Sequence, residues 1–145
     1  KIRISNRIFE PVPNNGIGTM LFLLSIPGLI PPRSTIYFAC GSVYPEMVQL
    51  LLSSQKVIPD LNCLKYACDL MRLVTITLLI DDGRIDAEPI IHTIILKGCL
   101  PVIQQFMELD VINSANVDHY LATIKRMKPG VRDLLKTKKS RKRKL

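Results

Sequence analysis

Thr35-Ile36-Tyr37-Phe38-Ala39-Cys40, followed by Pro45-Glu46-Met47-Val48-Gln49-Leu50-Leu51-Leu52, is a pattern that returns twice before Met107. The second copy is Leu64-Lys65-Tyr66-Ala67-Cys68 with Val74-Thr75-Ile76-Thr77-Leu78-Leu79-Ile80. The third is Ile91-His92-Thr93-Ile94-Ile95 with Pro101-Val102-Ile103-Gln104-Gln105-Phe106-Met107. The apolar pairs Leu50-Leu51, Leu78-Leu79, Phe106-Met107 and Leu134-Leu135 each stand 28 residues apart, and Phe22-Leu23 falls in the same phase. A fixed period of this length marks stacked repeats, in which no unit buries its apolar face alone.

Working outward, the apolar spacing within each copy is helical, and Pro and Gly mark the joints. Helices are expected over about 18–25, 34–41 and 45–52, then from Asp60 or Asn62 to Leu70 and over 72–80. Further ones are expected from Asp86–Pro89, around Pro101, from about Asp118 to Lys125, and over 131–136. Ser34, and Asp60 or Asn62, read as N-caps, and Pro45 suits a first helical turn. Gly83 is free to adopt a left-handed cap. Lys1 to Val12 alternates Ile2, Ile4 and Ile8 with polar residues, as a short extended segment does. The expected architecture is all-α: a helical-hairpin solenoid of about 28-residue period over 1–135, with a disordered basic tail over 136–145.

Charge supports that division. The chain of 145 residues carries 20 Lys and Arg against 12 Asp and Glu, for a net charge of +8. Seven of the basic residues lie in 136–145 and all the acidic ones precede it, so the body is near neutral. Ile17 to Ile30 is the most apolar window, but it is shorter than the ~20 residues that span a bilayer. It also lacks the flanks of a secretory signal. Lys1 in place of an initiator Met reads as the start of a piece of a longer protein.

The third copy, through Pro89, His92, Gly98, Leu100, Val102-Ile103 and Phe106-Met107, resembles the ankyrin pattern Pro-Leu-His…Gly-His-Leu-Glu-Val-Val…Leu-Leu. In the first copy Tyr37 takes the His position and Val43 the Gly position; in the second, Lys65 and Met71 do so. The period is shorter than the usual ~33 residues, leaving no room for a projecting hairpin and making the helix faces the expected contact surface. The resemblance implies a non-catalytic protein-interaction module, as in nuclear chromatin and DNA-repair scaffolds, including factors that recruit SMC-type complexes. It also implies that His92 is structural, bonding backbone between units. A viral ankyrin-type host-interaction protein fits the same degenerate repeats.

The sites read from the residues are modest. Lys138, Lys139, Arg141, Lys142, Arg143 and Lys144 have the density of a nuclear localisation signal, which import receptors bind as an extended peptide. The same cluster suits phosphate contact, and with Lys125, Arg126, Lys128 and Arg132 it gives the rival reading of a nucleic-acid-binding module. Phosphorylation at Thr137 or Ser140 would weaken either use by cancelling charge. Asp81, Asp82, Asp86 and Glu88 form an acidic cluster suited to a basic peptide such as a histone tail. Tyr44, Gln49, Lys56, Gln104 and Gln105 are candidates for a partner-facing surface.

Cys40, Cys63, Cys68 and Cys99 lack paired spacing, and with only His92 and His119 beside them they predict reduced thiols and no metal. No phosphate-binding glycine loop or nucleophile–base arrangement is present, so neither catalysis nor a cofactor is expected. The expected localisation is nuclear.

Overall fold

A computed structural model describes residues 16–141, with side chains through Lys139. All regular elements among the described residues are helices: α1 (Gly16–Ser25), α2 (Arg33–Gly41), α3 (Pro45–Ser54), α4 (Leu61–Asp69), α5 (Leu73–Asp81), α6 (Glu88–Lys97), α7 (Leu100–Glu108), α8 (Val117–Thr123) and α9 (Pro129–Arg141). The extended segment expected over 1–12 lies outside the described residues. No helix among them is long and apolar enough to cross a membrane.

Helices α2 and α4 begin at 33 and 61, and α3 and α5 at 45 and 73. Proline or an acidic cap sets several of these starts. Pro45 opens α3, where its missing N–H costs nothing. Asp60 caps α4, its Oδ1 accepting from the amides of Asn62 (2.9 Å) and Cys63 (3.1 Å). Ser34, expected to cap α2, lies inside that helix; Pro32 precedes its first residue and offers no side-chain bond. Gly83 does take a left-handed conformation (φ 77°), its amide closing on the Ile80 carbonyl at 3.1 Å.

The chain falls into two compact units, Lys1–Ile85 and Asp86–Leu145, each described by itself. In the first, hairpins α2–α3 and α4–α5 stack so that α2 meets α4, while α3 lies against both α1 and α5. Ile36, Ala39 and Cys40 on α2 are buried, as are Leu64, Ala67 and Cys68 at the corresponding places on α4. Leu51 and Leu79 repeat the same relation on α3 and α5, and both are fully buried. In the second unit α6 packs on α7, α8 on α9, and α7 on α9. Ile103 and Val131, like Met107 and Leu135, are buried pairs one period apart.

Cations join neighbouring elements within each unit. Lys56 Nζ donates to the carbonyls of Leu24 (2.6 Å) and Ile26 (3.0 Å), near the end of α1. One period on, Arg84 donates to Leu52 (3.3 Å) in the last turn of α3 and to Val57 (3.0 Å). Arg72 reaches Gly41 at the end of α2 (3.3 Å), and in the second unit Lys128 reaches Lys97 at the end of α6 (2.9 Å). The last carbonyls of a helix have no partner of their own and carry its negative dipole end, so a neighbouring cation satisfies both needs.

The tail departs from expectation. Helix α9 continues to Arg141, so residues 136–141 are helical where disorder was expected. Lys138 Nζ donates to the Met107 carbonyl at the end of α7 (2.6 Å), which fixes the extension to the body. Lysine is also a good helix former, and Val131 and Leu135 anchor the apolar face of α9.

Candidate functional site

The first helices of the hairpins in unit one, α2 and α4, leave an open cleft of about 570 Å³ between them. Tyr37 from α2 and Tyr66 from α4 stack in parallel within it, their ring centroids 4.7 Å apart and their planes 10° apart. Phe38, half exposed, meets the Tyr37 ring edge-on at 5.7 Å. The Tyr66 ring lies so close to Gly41 that a Cβ there would collide with it. Arg33, Lys65 and Asp69 line the cleft from exposed positions, and Asp60 lies at the start of α4. The site is thus an aromatic pair bordered by both signs of charge.

Strict 28-residue phase conceals this pair, because it aligns Tyr37 with Lys65 rather than with Tyr66. The detectable signal is a tyrosine one step from the buried stripe on each of two neighbouring helices, with a glycine facing the second. A smaller apolar cleft of about 280 Å³ lies in the same unit, where Val43, Met71 and Val74 are all well exposed.

Three of the four acidic candidates have local tasks. Asp82 pairs with Arg84 through two contacts, at 2.6 and 2.7 Å, and so orients the guanidinium that bonds Leu52 and Val57. That pairing holds the Arg84 guanidinium above its ordinary value. Asp86 caps the Glu88 amide at 3.0 Å. Glu88 accepts from the Tyr120 hydroxyl at 2.6 Å, tying α8 to α6. Burial first, and then the Glu88 carboxylate, push the Tyr120 phenol well above its usual range. Asp81 is exposed.

The basic candidates divide in a similar way. Lys138 is held by Met107 and by Asp110 at 3.3 Å, and Lys139 pairs with Asp118 at 2.8 Å. Of Arg141 only the backbone is described, and Lys142, Arg143 and Lys144 lie outside the described residues. In the rival nucleic-acid patch, Lys125 and Arg126 are exposed, while Lys128 is directed at Lys97 and Arg132 at the Ile124 carbonyl (3.3 Å). Among the proposed partner-facing residues, Tyr44, Gln49 and Gln104 are exposed, Gln105 is half-buried, and Lys56 serves the carbonyls described above.

His92 is exposed on α6, in contrast to the structural role implied by the ankyrin resemblance. All four cysteines are free thiols, with Cys40, Cys63 and Cys68 buried and Cys99 half-buried. Contact with the Cys63 thiol, and then burial, hold the Cys40 thiol far above its ordinary value. Among the described residues no group of His, Cys, Asp and Glu is placed to hold a metal ion. No protein-family model, curated protein or solved structure matches the chain.

Proposed function

We propose that the chain is a non-catalytic protein-interaction module, an ankyrin-like stack of short helical hairpins that engages a partner segment through the α2–α4 cleft. The observation that carries this reading is the Tyr37–Tyr66 stack, a large aromatic surface left half-exposed between charged borders. Paired aromatics ordered in advance offer contact area at little entropic cost on binding. The recurrence of helix starts at 28-residue steps within unit one supports the repeat architecture. In the same reading the basic cluster beginning at Lys138 serves nuclear import, and the partner is a nuclear protein of the chromatin or repair class.

The test is retention of nuclear proteins by the intact chain and by a Tyr37→Ser/Tyr66→Ser variant. A specific protein held by the first and lost by the second, with helical signal and melting cooperativity retained, supports the reading. Equal retention by both would remove the cleft as the contact surface.

A further inference from the structure

We propose that the partner segment held by the α2–α4 cleft is acidic, with carboxylates on Arg33 and Lys65 and an apolar side chain on the Tyr37–Tyr66 pair. This inference rests on the cleft reading above and adds the charge and kind of its occupant. The cleft is bordered by both signs, but only one sign is left for a ligand. Asp60 is committed to its own helix, its Oδ1 accepting from the amides of Asn62 (2.9 Å) and Cys63 (3.1 Å). There its charge offsets the positive end of α4. Asp69 also has a partner of its own.

Arg33 and Lys65 stand differently. Both line the cleft from exposed positions, and neither side chain makes an ion pair or hydrogen bond among the described residues. Arg33 opens α2, where Pro32 offers no side-chain cap, so the positive end of that helix adds to the same field. The rings supply contact area, and the two cations select the sign of what lies across it. A basic segment, of the histone-tail type, would set like charge against both. A nucleobase needs an open ring face to stack on. Tyr37 and Tyr66 cover one face of each other at 4.7 Å, and Phe38 and Gly41 crowd the pair further.

The experiment pans a random peptide library on the intact chain, with counter-selection on the Tyr37→Ser/Tyr66→Ser variant, whose net charge is the same. Peptides that survive bind at the tyrosine pair. Should that variant lose its helical signal, shifts of the Tyr37 and Tyr66 ring resonances in the native chain select them instead. Affinities are then measured for the native chain, for an Arg33→Gln/Lys65→Gln variant and for a Lys125→Gln/Arg126→Gln variant. The last removes two exposed cations from the second unit. A single-stranded oligonucleotide is titrated alongside. The expected result is enrichment of Asp and Glu in the selected peptides. Their binding should weaken about tenfold in the Arg33/Lys65 variant, the effect of two exposed charge contacts, and less than about twofold in the matched one.

Selected peptides that are neutral or basic would overturn the acidic assignment while leaving the cleft as a contact surface. Equal affinity for the native chain and the Arg33/Lys65 variant would do the same. An equal loss in the matched variant would also overturn it, because bulk charge would then be the cause. If no peptide depends on the tyrosine pair, the cleft reading falls and this inference with it. An oligonucleotide that alone shifts the two rings would replace both with a nucleic-acid contact.

Discussion

Gly41 and Tyr66 show how a single missing atom shapes a surface. Glycine at the end of α2 lets the Tyr66 ring settle against backbone, in the position that stacks it on Tyr37. Gly41→Ala should therefore displace the ring rather than unfold the unit, at a cost of about 1–3 kcal/mol for overpacking. Loss of the near-ultraviolet tyrosine signal with little change in helicity is the expected signature; an unchanged tyrosine signal would mean that the ring does not depend on Gly41. Tyr120 makes a second prediction at this scale. Its phenol titrates higher in the folded chain than the ~10 expected when unfolded, so the contribution is complete below about pH 10 and falls as pH rises beyond it. Tyr120→Phe should lose about 1–2 kcal/mol at neutral pH, because Glu88 is exposed and recovers solvent when its partner is removed. The variant's stability should then decline less steeply than the native chain's above pH 10, as denaturant titrations at pH 8 and pH 11 would reveal. Thiol chemistry gives a third: Cys99, half-buried, should be alkylated first, while Cys40, Cys63 and Cys68 wait for opening of the core. Peptide mapping after brief treatment would expose the opposite order.

At the scale of elements, apolar spacing, Asp60 and Pro45 make most of the helices in 16–135 legible in the sequence. Other features depend on which residues meet across helices, and periodicity carries no such information. The cations are the clearest case. Lys56, Arg72 and Arg84 look like ordinary solvated charges, yet each ends on backbone carbonyl oxygen of an earlier helix or the loop just after it. Asp82 has the sequence context of a peptide contact, and its carboxylate instead orients Arg84. Arg84→Met keeps much of the aliphatic stem but removes those bonds, so it should cost about 1–2 kcal/mol, allowing for the exposure of the guanidinium. Asp81→Asn, adjacent to Asp82 in the chain but exposed, should remain within about 0.5 kcal/mol of the native chain. Equal losses in the two variants, measured by denaturant midpoint, would remove the Arg84 bonds as the specific cause.

For the chain as a whole, the question is whether the high net charge belongs to an independent tail or to a folded element. Composition favours the first, because 136–145 is nearly devoid of apolar residues and dense in like charge. It misses that 136–141 inherits a helix already nucleated over 129–135, where extension adds a hydrogen bond for each residue ordered. It also misses that Lys138 falls on the stripe facing the end of α7, where a carbonyl lacks an intrahelical donor. A chain ending at residue 135 should therefore be less stable than the full chain, not indifferent to the loss. Removing the Lys138 bond and the last turns of α9 should cost the second unit about 1–2 kcal/mol. The loss should appear as faster amide exchange in α7 and α9 and a slightly lower melting temperature, while the first unit keeps its exchange pattern. If the repulsion among the seven clustered cations outweighs these contacts, truncation will raise the melting temperature instead, most strongly at low salt. Melting both chains at low and at ~0.5 M salt separates the two effects, because screening removes the repulsion and leaves the short carbonyl bond largely intact.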